Sequence, residues 1–290
     1  MDLFQYDFMM RALAGALIIG LVAPSLGIYL VQRRLSLIGD GIGHVALTGV
    51  GVGLLLNQSP VLTAVIVAAI GAVGVELIRE RGRTSGDLAL ALLFYGGIAG
   101  GVVLVSLSDD ASSNSLVQYL FGSLITTSPQ DIAVIAVLGG AVLFAMLMFR
   151  PALFAVSNDE EYAKVSGLPV RALNLLMAVT TAVTVTIAMR TVGLLLISAL
   201  MVIPVAAAQQ VTRGFRTTMA AAMAIGLFAA GSGIVVSAEA DTPPGATTVV
   251  LALAVFVALT VGAVGWRVVQ RRRAEPPREI EPPDVVLQKA

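Results

Sequence analysis

The sequence has no cysteine, one histidine, one tryptophan and few charged residues. Without cysteine there are no disulfides, iron–sulfur clusters or thiolate metal sites. Charged residues make up 12% of the 290 positions, against roughly 25% in a typical soluble domain. There is therefore too little polar material to clothe a soluble protein of this length. No G-x-x-x-x-G-K-[ST] stretch occurs, so no phosphate-cradling loop for ATP is present. Net charge is zero, and nothing in the composition points to a nucleic-acid partner.

What the chain has in quantity is apolar residues, 57% of the total, with mean hydropathy +0.92. They fall in runs of about 20 residues, the length that crosses about 30 Å of hydrocarbon. Read against their polar stops, these runs predict an all-α integral membrane protein of about nine spans. The spans are expected near 10–32, 37–56, 60–78, 87–107, 131–149, 171–189, 192–211, 217–236 and 246–266. Together they form one transmembrane domain over 1–267. The tail 268–290, with Pro276-Pro277, Pro282-Pro283 and mixed charge, is expected to be disordered and cytoplasmic.

Charge orients the bundle. Asp2 and Asp7 precede the first run and Arg33-Arg34 follow it, the reverse of a cleavable signal. The first span is expected to remain, with its N-terminus outside and the C-terminus inside. Of the 18 Lys and Arg residues, all but Arg11 and Arg190 then fall on the inner side, as the positive-inside rule requires. Ser115 to Thr127 is apolar but too short to cross. It reads as an outer re-entrant or interfacial helix, with Tyr119 and Phe121 near the headgroups. Glycine- and alanine-rich stretches such as GGIAGG suit close helix packing. Pro24 and Pro204 are expected to kink their helices.

Two places stand out chemically. His44 lies four residues after Asp40 in LSLIGDGIGHVALTG. On a helix that spacing puts both side chains on one face, about 40° apart and roughly 6 Å along the axis. Imidazole and carboxylate are both metal ligands, and an ionisable group within a membrane costs about 2.5 kcal/mol or more unless it faces a cavity or partner. The pair could instead hydrogen-bond internally or cap a helix end. Two ligands are too few for tetrahedral zinc, but a two-fold dimer would supply four. The second place is the inner loop 150–171, with SNDEEYAKVSGLPV. Asp159, Glu160 and Glu161 open a short helix there, Ser157 or Asn158 could cap it, and Gly167 and Pro169 end it. Outer-loop acids Asp109, Asp110, Glu239 and Asp241 need no special role. Glu76 can pair with Arg79. No chain of intramembrane acids of the proton-carrier kind is present.

The stretches RRLSLIGDGIGHVALTGV at 33–50, DEEYAKVSGLPV at 159–170 and VGLLLISALMVIPVAAAQQVTR at 192–213 resemble the permease subunits of bacterial zinc and manganese ABC importers. So does DTPPGATTVVLALAVF at 241–256, and the resemblance runs over about 8–267. It implies a fold related to the cobalamin and iron-siderophore permeases, in the bacterial plasma membrane. It further implies a homodimer, cytoplasmic ATP-binding subunits and an extracytoplasmic metal-binding protein. The permease would not be an enzyme and would hold no permanent cofactor, its cargo being Zn2+ or Mn2+. The family's intramembrane metal residues fall on Asp40 and His44. Its ATPase-coupling helix falls on Asp159, Glu160, Glu161, Ala163 and Gly167, although Tyr162 stands where the E-A-A-x-x-x-G pattern has its first alanine. Imidazole leans the cargo toward zinc. The competing readings are a stand-alone metal channel or secondary carrier, and a chelate or cobalamin importer.

Overall fold

A computed structural model describes residues 7–80, 86–108, 118–122, 128–189 and 192–273. Among them are nine long helices: Asp7–Gln32 (α1), Ile38–Leu55 (α2), Pro60–Glu80 (α3), Gly86–Ser106 (α4), Pro129–Met148 (α5), Val170–Ala188 (α8), Leu194–Val211 (α9), Phe215–Ala240 (α10) and Pro244–Arg273 (α11). Two short ones, Arg150–Asn158 (α6) and Glu160–Val165 (α7), lie between α5 and α8. Each long helix coincides with one expected span to within a few residues, save the last. That one continues to Arg273, past the boundary expected at 267, because nothing in the run WRVVQRRR breaks a helix once it leaves the apolar layer. Seven of the nine are long and apolar enough to cross a membrane, while α4 and α9 carry shorter apolar stretches, Leu90–Ser106 and Leu196–Val211.

The helices are apolar on nearly every face, so burial sorts them by position in the bundle. The most apolar window of α1 is 72% buried, and that of α11 only 11%. An apolar helix left that exposed needs hydrocarbon for solvent. α1 packs along α10, α9 and α5, whereas α2 lies between α3 and α4 and touches α8. Tyr29 on α1 is fully buried, and its hydroxyl donates to the Met146 carbonyl at 3.0 Å. α5 begins with a reciprocal cap: Ser128 Oγ accepts from Asp131 N–H, and Ser128 N–H donates to the Asp131 carboxylate. Pro24 lies inside α1 and Pro204 inside α9.

Of the expected outer segment 115–127, only 118–122 lies within the described residues. It forms a helical turn against Gly193 at the start of α9. Tyr119 and Leu120 pack against the core there, and Phe121 is exposed. Asp109 and Asp110, along with most of the tail, lie outside the described residues. Glu239 and Asp241 are exposed, and Asp241 closes α10 with φ 50°.

Candidate metal pathway and coupling helix

α2 opens without a side-chain cap at Leu37, so Asp40 in its first turn is left free of a capping role. Asp40 is half-buried and lines a cleft of about 400 Å³ between α2 and α4, together with Leu37, Leu90, Ala91, Phe94 and Tyr95. One turn deeper, His44 is 6% exposed. Its ring meets Phe94 edge-on, with centroids 4.4 Å apart at 78°. Its Nδ1 is buried and has no hydrogen-bond partner among the described residues. A buried ring nitrogen of this kind normally finds a partner. Neither internal pairing of Asp40 with His44 nor helix capping accounts for the two side chains.

α4 reaches this close to α2 because of Gly97. A Cβ there would stand 2.6 Å from the His44 carbonyl carbon and from the Val45 nitrogen, both backbone atoms that cannot move aside alone. Thr48 Oγ1 donates to the Gly97 carbonyl at 2.8 Å and locks the crossing one turn on. Thus GGIAGG, read in the sequence as packing, is the packing that sets the wall beside His44. Phe94 and Tyr95 escaped the sequence reading. Their only signal is an adjacent aromatic pair within an otherwise aliphatic span. Among the described residues no group of three or more His, Cys, Asp or Glu side chains converges.

The loop expected on the inner side folds into α6 and α7. The cap of α7 is Asp159 rather than Ser157 or Asn158: its carboxylate accepts from Tyr162 N–H at 2.9 Å. Ser157 is instead buried, and Asn158 ends α6. The far end closes through Leu168 N–H to Ala163 O and Gly167 N–H to Lys164 O, both 3.1 Å, with Gly167 at φ 79°. This is the paired C-terminal cap that needs a left-handed residue. Ala163 is fully buried, whereas Tyr162 and Val165 are 68% and 88% exposed.

The two neighbouring glutamates part company. Glu161 points outward and meets Lys164 at 3.1 Å. Glu160 turns inward to Arg33 at 2.7 Å, with Lys164 at 3.4 Å and Arg79 at 3.8 Å. Burial alone would push the Glu160 carboxyl up. Arg33, Arg79 and Lys164 outweigh that and hold it below its ordinary value. Burial likewise lowers Arg33, assisted by nearby Arg79 and opposed by Glu160 and Glu76. Arg79 also grips Glu76 through two contacts of 2.7 and 2.9 Å, the pairing expected from the sequence. Arg33 and Asn174 carried no site role in the sequence reading, because their partners lie 127 to 141 residues away.

Known proteins share this architecture. The zinc uptake membrane protein ZnuB of Haemophilus influenzae is 27% identical, over 87% of this chain and 97% of its own. The manganese transport membrane protein MntC of Halalkalibacterium halodurans is 28% identical, over 88% of this chain and 87% of its own. Among solved structures, PsaBC of Streptococcus pneumoniae bound to a Fab superposes with a TM-score of 0.79 at 28% identity, covering 89% of this chain and 92% of the other. The family description "ABC 3 transport family" matches residues 5–263, most of the sequence, and the chain belongs to that family.

Proposed function

We propose that the chain is the membrane permease of an ATP-driven importer of a divalent metal ion, with Asp40 and His44 as ligands on the ion's path. The chain is not itself an enzyme, and ATP hydrolysis belongs to a separate subunit. The observation that carries the site is the unpartnered, buried Nδ1 of His44 one turn from the Asp40 cleft. A buried nitrogen without a donor or acceptor is costly, and a cation passing along α2 would satisfy it. Two protomers around a two-fold axis would bring four such ligands together, enough for zinc. The relatives' cargoes, zinc and manganese, both suit a nitrogen and oxygen donor set. A passage site must release its ion, so a site without thiolate is appropriate.

Energy would enter at α7. Its exposed face carries Glu161, Tyr162, Lys164 and Val165, an apolar pair beside a Glu–Lys pair, suited to a groove in a cytoplasmic ATP-binding subunit. An extracytoplasmic metal-binding protein would deliver the ion from the opposite side. In proteoliposomes holding the complete complex, ATP should drive uptake of Zn2+ or Mn2+. Uptake by the chain without any ATP-binding subunit would favour a channel or carrier instead.

A further inference from the structure

We propose that Glu160 is a positioning residue that ties the ATPase-docking helix to the start of the metal-bearing helix, so that movement of α7 is passed to Asp40 and His44 through Arg33. This rests on the ATP-driven reading above. The Arg33 side chain is 7% exposed and holds two elements at once. Nη2 meets Glu160 at 2.7 Å in the first turn of α7, and Nη1 meets Asn174 at 2.8 Å in the first turns of α8. Glu160 reaches Arg79 at the end of α3, and Arg79 in turn is held by Glu76. A single carboxylate thus joins α7, the α1–α2 connection and α3, with α8 reached through Arg33.

The connection that carries Arg33 is built to transmit. Leu35 N–H bonds Leu30 O at 2.9 Å and Arg34 N–H bonds Val31 O at 3.1 Å, which closes α1. Ile38 N–H then bonds Leu35 O at 3.0 Å and starts α2 with no slack between. Asp40 follows within the first turn of α2. By contrast α7 has only six residues and cannot persist as an isolated helix. It keeps its shape through its two caps, buried Ala163 and the Glu160 cluster. A push on its exposed face therefore moves the cluster as a unit. Glu161, 86% exposed, touches the cluster only through Lys164, which also reaches Glu160, and its outer side is left for the partner.

The experiment uses the absence of cysteine. Spin labels at Leu37→Cys and Ser166→Cys, both exposed, report the separation between the start of α2 and the end of α7. In the chain alone in lipid nanodiscs, a narrow distance distribution is expected, which broadens with Glu160→Gln and recovers in part with Glu160→Asp. In proteoliposomes with the ATP-binding subunits, Glu160→Gln should lower ions moved per ATP hydrolysed by about tenfold, since it leaves the buried Arg33 guanidinium without its carboxylate. Zn2+ and Mn2+ serve as the probes. An unchanged distance distribution in Glu160→Gln overturns the inference, whether or not uptake falls. So does an unchanged ratio of ions to ATP. Failure of the wild-type complex to couple ATP to uptake would sink the transport reading, while the distance measurement still judges the strut.

Discussion

Gly167 offers a perturbation whose size can be worked out beforehand. Its φ of 79° lies where residues with a Cβ are strained, and a Cβ built there meets nothing within 4 Å. A substitution therefore acts through backbone conformation alone, without a clash. Alanine in that conformation costs about 1–2 kcal/mol. Part of that is offset by its stiffer unfolded chain, leaving roughly 1 kcal/mol. The cost falls on the two capping bonds that hold Leu168 to Ala163 and Gly167 to Lys164. An equilibrium shifted by one to two kcal/mol changes about five- to thirtyfold, so the ratio of capped to uncapped α7 should fall by about fivefold. Asparagine tolerates the left-handed region and should be nearly silent, whereas β-branched valine should be worst. ATP-driven metal uptake in proteoliposomes, normalised to inserted protein, should rank glycine, asparagine, alanine, valine. Equal uptake in all four would refute the docking role of α7, and equal loss in all three substitutions would refute the conformational argument.

Three further outcomes follow from the geometry. Gly97→Val drives a side chain into the His44 backbone, at a cost of about 1–3 kcal/mol from overpacking; it should lower both the unfolding temperature in detergent and uptake. Cysteine at exposed Ser166 should be labelled only from the cytoplasmic side, and cysteine at exposed Ser59 only from outside; labelling of Ser166 from outside would reverse the topology. Because Glu160 is held below its ordinary value, its contribution to stability is complete above about pH 4.3 and is lost as pH falls through its folded value. Melting curves of Glu160→Gln should accordingly lack the wild type's acid-side decline in that range, and parallel curves would contradict the ion pair.

The spans were legible because apolar runs of membrane length need no tertiary context to be recognised. Even so, a run ends where apolar residues end, not where the helix does, and α11 passes that point to Arg273. Asp40 and His44 were legible because they are the ionisable pair of an otherwise apolar span. Phe94 and Tyr95 were not, since their place beside the cleft depends on how Gly97 seats α4 on α2. The acidic start of α7 was also legible, but not the division of labour within it. Adjacent positions on a helix point about 100° apart, so which glutamate turns inward depends on where Arg33 waits, 127 residues earlier. Arg33 itself read as a topological charge at the head of the 33–50 stretch, with no ion-pair partner assigned. The cap on Asp159 was missed by one residue for a similar reason, because α6 uses Ser157 and Asn158 first.

Uptake by Asp40 and His44 variants tests the central claim most directly. In the complete complex, ATP-driven accumulation of Zn2+ and Mn2+ is measured for wild type, Asp40→Asn, His44→Ala and the double variant. Asp40→Asn keeps the shape but removes the charge that offsets the cation's desolvation, and His44→Ala removes the unpartnered nitrogen. Each single change should reduce uptake by about tenfold or more, on the scale of disturbing a metal's ligand shell. The double variant should be little worse, since both residues serve one site. Assembly should survive, because polar contacts within membrane bundles contribute only about 0.6 kcal/mol on average. Wild-type uptake in both single variants at normal abundance would contradict the account and leave the pair as packing residues of α2.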